Sequence, residues 1–282
     1  MAIPAHSRSA PDGVLFAALR AAALEAGRVI MKFYAEGCAV ERKQDASPVT
    51  EADRAAEAVI LSAIASAAPD IPVVAEEEAS AGRLPVETGR RFLLVDPLDG
   101  TREFLARNGD FTVNIALIED GLPVAGIVYA PARHLLFTGG ADGAAEIRTT
   151  PGHEIAESRA IRARIAADGP VAVCSRSHDS PQTAAFLREK GITERVSVGS
   201  SLKFCLIARG EADIYPRFTP TMQWDTAAGD AVLRAAGGTT LAPDGHPLVY
   251  GPRVGQGAVE GPARFINPHF VACGAGDLFN RL

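Results

Sequence analysis

Between positions 13 and 36, apolar residues recur three or four apart (Phe16, Leu19, Ala23, Ala26, Ile30, Phe33) and Gly37 follows, which predicts one long amphipathic helix with a glycine stop. A second helix is predicted from about 50 to 67. Thr50 is placed to N-cap it, Asp53 lies in its first turn, Val59, Leu61 and Ile64 supply apolar positions, and Pro69 ends it. The period then changes. Residues 71–75, 91–96, 111–120 and 122–130 are short apolar runs bounded by Pro, Gly and Asp, and they read as strands, the last two joined by a hairpin turn at Glu119-Asp120-Gly121. A further strand is expected at 134–138. Beyond about 145, strands (170–175, 195–198, 212–216) alternate with helices (near 181–190 and 202–209). A helix over 225–236 closed by Gly237-Gly238, a Gly- and Pro-rich loop over 243–268 and a last strand at 271–273 complete the chain. This order predicts an α/β layered sandwich with a loose tail at 1–12, an α+β domain at 13–145 and an α/β domain at 146–282.

Composition narrows the function classes. Of 282 residues 47% are hydrophobic and 22% charged, ordinary globular usage that sets aside disordered, collagen-like and coiled-coil readings. Lys and Arg number 28 against 34 Asp and Glu, so the net charge of −6 offers no global basic field for nucleic acid or acidic lipid, and an anionic ligand needs local cations. The four cysteines (Cys38, Cys174, Cys205, Cys273) form no CxxC pair, which argues against a structural zinc site or a disulfide scaffold and fits a reducing compartment. The first 13 residues lack the apolar core of a signal peptide. The apolar stretch 14–34 is broken by Arg20, Glu25, Arg28 and Lys32, which predicts no membrane span.

Three acidic groups fall where a strand should end and the chain should turn: Glu76-Glu77-Glu78, Asp96 with Asp99, and Asp225. Each has an ordinary explanation as a solvated glutamate run, a type I turn and a helix N-cap. A turn does not need two carboxylates, however. A hard cation such as Mg²⁺ does take carboxylate and carbonyl oxygens, and Asp96-Pro97-Leu98-Asp99 offers two of the first and the free Leu98 carbonyl. Among the glutamates, Glu76 is nearest the strand and is the ligand candidate. Gly100 and Thr101 would present backbone N–H groups and a hydroxyl to a phosphate. No GxSxG elbow or HExxH motif points to covalent or zinc chemistry, and Cys174 reads as a buried strand residue.

In order along the chain, AEEE at 75–78, DPLDGT at 96–101 and WDTAAG at 224–229 resemble the three signatures of the inositol monophosphatase superfamily of lithium-sensitive, Mg²⁺-dependent phosphatases. SPVTEAD at 47–53, NGDFTVNIALI at 108–118, CSRSH at 174–178, GSSLKFC at 199–205 and YPRF at 215–218 are more similar to its CysQ-type 3′(2′),5′-bisphosphate nucleotidases than to its inositol phosphatases. The resemblance implies the αβαβα five-layer fold of inositol monophosphatase and fructose bisphosphatase. It implies two or three Mg²⁺ ions held by Glu76, Asp96, the Leu98 carbonyl, Asp99 and Asp225, with Asp96 bridging two. Asp53 and Thr101 would position the attacking water, with Glu76 joining them in catalysis. Leu98, Asp99, Gly100, Thr101 and Asp225 would meet the substrate around the scissile phosphate, Ser200, Lys203 and Arg217 would receive a second phosphate, and His178 would lie near base or ribose. Where the family commonly has Ser before its Glu-Glu pair this sequence has Ala75, and Glu78 stands where Asp is frequent. Neither change removes a ligand.

The expected activity is therefore Mg²⁺-dependent hydrolysis of the 3′-phosphate of adenosine 3′,5′-bisphosphate, and of its sulfated form, to serve sulfur assimilation and nucleotide recycling. A phosphatase for inositol monophosphate or a sugar phosphate would share every metal ligand and differ only around Lys203 and Arg217. A non-catalytic phosphate-binding regulator is disfavoured because no ligand position has been lost. The expected partner is a small nucleotide bisphosphate, without nucleic acid or a transmembrane segment, for a monomer or homodimer. Its expected location is cytoplasmic, with peripheral attachment at the inner face of the membrane left open.

Overall fold

The protein is described by a computed structural model that covers residues 13–42, 48–166, 169–175, 180–253, 260–276 and 278–281; the expected tail at 1–12 and His178 lie outside these. Leu15, Leu19, Ala22, Ala23, Ala26 and Ile30 share the buried side of helix α1 (Gly13–Glu36), as their spacing predicts. After the short strands β1 (Val40–Arg42) and β2 (Pro48–Thr50) comes α2 (Glu51–Ala67). The Thr50 hydroxyl accepts from Ala52 N (3.2 Å) while Asp53 Oδ2 accepts from Thr50 N (2.8 Å), so the predicted cap is a reciprocal box.

The chain then lays down β3 (Val73–Ala75), the five-residue helix α3 (Glu76–Ser80), β4 (Arg91–Asp99), the five-residue helix α4 (Thr101–Leu105), β5 (Thr112–Glu119), β6 (Leu122–Ala130), β7 (Leu135–Gly140), β8 (Gly143–Thr149) and β9 (Ile155–Ile161). These strands form one seven-stranded sheet in sequence order, antiparallel except for the parallel β3–β4 pair. Strands β8 and β9 carry this sheet past the boundary expected near 145. Periodicity does not reveal β9 because six of its seven residues are exposed on an edge strand, leaving no apolar alternation to read.

The second half contributes β10 (Ala172–Ser175), α5 (Pro181–Glu189), β11 (Arg195–Val198), α6 (Leu202–Ala208), β12 (Ile214–Arg217), α7 (Ala227–Ala235), β13 (Thr239–Leu241), β14 (Phe270–Cys273) and α8 (Leu278–Arg281), with a five-stranded sheet ordered β11-β10-β12-β14-β13. Three apolar clusters define the layers. Leu19, Ile30, Ile60 and Ile64 of α1 and α2 pack on Leu93, Val95, Ile115 and Ile127. The alternate residues Phe92, Leu94 and Ile118 face the opposite way, onto Phe204, Ile207, Val232 and Leu233 of α6 and α7. Beyond the second sheet, Ala172, Cys174 and Ile214 meet Leu187 of α5 and Leu278 of α8. The order is helix, sheet, helix, sheet, helix, and the central strands β4, β5 and β6 are covered on both faces, which is why they read as nearly unbroken apolar runs. No helix among the described residues is long and apolar enough to cross a membrane.

Candidate active site

Strand β4 does not end in the simple turn its Pro and Gly suggest. It continues to Asp99, and its pairing with β5 shifts register: Asp96 lies opposite Asn114 but Asp99 opposite Thr112, so three residues on β4 match two on β5. In a regular strand residues three apart point to opposite faces. The extra residue of this bulge lets Asp96 and Asp99 line the same cavity, and the Leu98 N–H donates to Asp96 Oδ1 (3.0 Å) across it. Gly100 then turns the chain at φ 92°, a left-handed conformation with its Cα tucked against the Asp110 carbonyl, and Thr101 begins α4. Glu76 is the first residue of α3, directly after Ala75, which pairs with Val95; the parallel β3–β4 register thus sets Glu76 beside Asp96.

Asp225 arrives from the other half of the chain. The predicted helix starts two residues later than expected, at Ala227, because the Asp225 carboxylate turns back rather than capping it: Oδ2 accepts from the Thr221 hydroxyl (2.6 Å) and the Met222 N–H (2.9 Å). Its carbonyl accepts from Ser201 Oγ (2.5 Å).

Glu76, Asp96, Leu98, Asp99, Gly100, Thr101, Ser200, Lys203, Arg217 and Asp225 all line one cavity of about 360 Å³. Burial, followed by the charges of Glu76, Asp99 and Asp225, pushes the Asp96 carboxyl well above the usual carboxylate range. Burial with Asp99 and Glu76 pushes Asp225 up to about 7, against its two hydrogen bonds. Among the described residues no three acidic, His or Cys side chains are already closed into a metal cage. Other partners hold two of them: Asp225 Oδ2 accepts from the Thr221 hydroxyl, and Asp99 Oδ2 accepts from Ser200 Oγ (2.6 Å). An all-oxygen set, the buried Asp96 among the half-buried Glu76, Asp99 and Asp225, is nevertheless the donor chemistry of a hard divalent cation, which would cancel the charge that raises Asp96 and Asp225. The residues fit Mg²⁺.

Asp53 is buried behind this wall and reaches it through Thr101, whose Oγ1 lies 3.2 Å from Asp53 Oδ1 and 3.4 Å from the Leu98 carbonyl. The same cavity is lined by two cations. Lys203 donates to the Ser200 carbonyl (2.5 Å) and lies over the Tyr215 ring, and Arg217 donates to the Thr219 and Pro220 carbonyls (3.2 and 3.0 Å). Neither has a carboxylate within salt-bridge distance among the described residues, and burial brings the Lys203 amine down to about 8 despite the nearby Asp99. Ser200, at a left-handed φ of 55°, spends its hydroxyl on Asp99 and Thr112. Sequence reading passed over Thr112, Asn114, Ser201 and Thr221, which orient the ligands; Asn114 Nδ2 donates to Ser201 Oγ (3.0 Å). The signal for the first two is polar side chains at 112 and 114 at the start of a largely apolar strand.

A model of the Inositol monophosphatase family matches residues 11–272. The chain is 45% identical over 250 residues, 88% of its length and 95% of the relative's, to the 3′(2′),5′-bisphosphate nucleotidase CysQ of Salmonella typhimurium. It is 43% identical over the same span to the CysQ of Escherichia coli K12. Among solved structures, CysQ from Bacteroides thetaiotaomicron superposes with a TM-score of 0.75 at 34% identity, covering 94% of this chain and 99% of that one.

Proposed function

Because the chain belongs to the inositol monophosphatase family, we propose that it is a 3′(2′),5′-bisphosphate nucleotidase that uses Mg²⁺ to remove the 3′-phosphate of adenosine 3′,5′-bisphosphate or its sulfated form. The observation that carries this reading is that the carboxylate cluster and the two cations Lys203 and Arg217 line one cavity. A monophosphate ester gives those cations nothing to bind; a bisphosphate offers one phosphate to the metal-binding carboxylates and one to the cations. Glu76, Asp96, the Leu98 carbonyl, Asp99 and Asp225 would hold the Mg²⁺, two or three ions in all. Bound there, Mg²⁺ neutralises the phosphate dianion and the leaving oxygen and acidifies the attacking water.

The chain's own groups do the positioning. When Thr101 donates to Asp53, its oxygen lone pairs remain to accept a hydrogen bond from water, and the buried Asp53, anchored on Thr50, cannot swing away. The water passes a proton toward this pair as its oxygen bonds to phosphorus, the P–O3′ bond breaks, and the 3′ oxygen leaves with a proton from solvent. The N–H groups around Gly100 and Thr101 meet the scissile phosphate. Lys203 and Arg217, with Ser200 between them and Asp99, receive the second phosphate through charge-assisted hydrogen bonds. The four free thiols suit a reducing, cytoplasmic setting.

The test is phosphate release from adenosine 3′,5′-bisphosphate and from inositol 1-phosphate, each with Mg²⁺ and with chelator. Mg²⁺-dependent preference for the nucleotide is expected. Preference for the inositol ester would keep the metal site and overturn the second-phosphate assignment, and release from neither would overturn the enzyme reading.

A further inference from the structure

Helix α3 has no cap of its own. Ala75 occupies the N-cap position with no side-chain acceptor, so the N–H groups of Glu77 and Glu78, the second and third helical residues that an N-cap normally satisfies, need another partner. They find it in Glu57, whose Oε2 and Oε1 each lie 2.9 Å from one of them. Glu57 comes from the middle of α2, is only 3% exposed, and lies one helical turn after Asp53 on the same side. The same helix therefore reaches Thr101 through Asp53 and grips the turn that carries Glu76 through Glu57.

We propose that Glu57 is a positioning residue for Glu76: a cap supplied in trans that fixes the strand-to-helix turn and so the direction in which the Glu76 carboxylate is offered to Mg²⁺. The inference rests on reading Glu76 as a metal ligand. Two features favour it over simple helix stabilisation. A five-residue helix gains little stability from one cap, yet this one holds a buried carboxylate on both oxygens. The backbone groups held are also those of the two residues immediately following Glu76, so freeing them frees the ligand's own peptide. Groups behind a metal ligand control its orientation, and losing one typically weakens metal binding by about 10- to 100-fold.

The variants are Glu57→Gln, whose amide accepts from one N–H but opposes the other, and Glu57→Asp, one methylene too short. Mg²⁺ binding to the full chain is followed by the emission of Trp224, the only tryptophan, which lines the cavity beside Asp225. It is compared with the Mg²⁺ dependence of turnover. Both variants should need roughly tenfold more Mg²⁺ for half-saturation, with KM for the bisphosphate at saturating Mg²⁺ changed by no more than about twofold. Adding Ala75→Ser to Glu57→Gln, which returns an oxygen to the N-cap, should recover part of the lost affinity. A folded Glu57 variant with wild-type Mg²⁺ half-saturation would overturn the positioning role while leaving Glu76 a ligand. Wild-type protein with no Mg²⁺ response in either readout would overturn the metal site, and this inference with it. If the glutamine variant does not fold, the aspartate variant carries the same comparison.

Discussion

Gly126→Ala tests how tightly the helix leading away from Asp225 is wedged into the fold. Gly126 on β6 lies directly opposite Gly139 on β7, and this cross-strand glycine pair makes the flat patch on which α7 rests. A Cβ on Gly126 would sit 2.3 Å from the Ala228 carbonyl oxygen and 2.6 Å from Ala231 Cβ, where ordinary contact begins near 3.4 Å. The deficit is about 1 Å, and the obstructing atom is helix backbone, not the end of a flexible side chain. Retreat is blocked on the far side, where Phe204 of α6 already fills the space over Gly229. Overpacking of this kind costs about 1–3 kcal/mol, and for a chain of this size each kcal/mol lowers Tm by about 2–4 °C, so a fall of roughly 2–12 °C is expected. Because Asp225 lies two residues before α7, a shift of about 1 Å also misplaces a proposed metal ligand, an error that can cost on the order of 100-fold in rate. Thermal unfolding and the Mg²⁺ dependence of kcat/KM are measured together, with Gly13→Ala, which meets nothing within 4 Å, as the neutral control. Wild-type Tm and turnover in Gly126→Ala would refute the claim that α7 is held against the sheet by this contact.

Three further outcomes are expected. Asp99→Asn keeps the hydrogen-bonding shape opposite Ser200 but removes the charge of a proposed ligand, so turnover should fall by about 100-fold or more while thermal unfolding is little changed; full activity at matched Mg²⁺ would remove Asp99 from the site. Lys203→Met should lower kcat/KM for the bisphosphate by roughly 10- to 100-fold, the worth of a charge-assisted hydrogen bond, and turnover of a monophosphate ester far less; equal losses would mean the second phosphate binds elsewhere. Burial, aided by His134 and Arg28 and opposed by Glu25, holds the His153 imidazole below its ordinary value of 6.5, with Nδ1 on the Tyr129 hydroxyl. The folded state therefore binds fewer protons than the unfolded one, and the stability His153 contributes above pH 6.5 is lost as pH falls below it. Denaturant titrations from pH 7 to 5 should show a shallower loss in His153→Asn than in wild type, whereas parallel curves would assign the acid sensitivity to other groups.

Much of this protein is written in local pattern. The spacing of Leu19, Ala23, Ala26 and Ile30 determines α1, Thr50 and Asp53 determine the start of α2, and the apolar runs ending at Ala75 and before Asp96 determine where the two strands deliver their acids. Those interactions act within a few residues, so composition and period record them. The identity of the ligand candidates is legible for the same reason, since a carboxylate at a strand end is visible without knowing what it faces.

Tertiary structure alone decides the rest. Asp96 and Asp99 share a face only because β4 bulges against β5, and Asp225 leaves its helix because Thr221 and Met222 claim its carboxylate. Ser200 turns its hydroxyl to Asp99, 101 residues away, while Glu57 caps a helix 20 residues on. The exposed strand β9 belongs to the large sheet through backbone hydrogen bonds that leave no mark on side-chain type. In each case the deciding partner is distant in sequence, and its energy appears only when folding removes both groups from water and leaves them one another to bond.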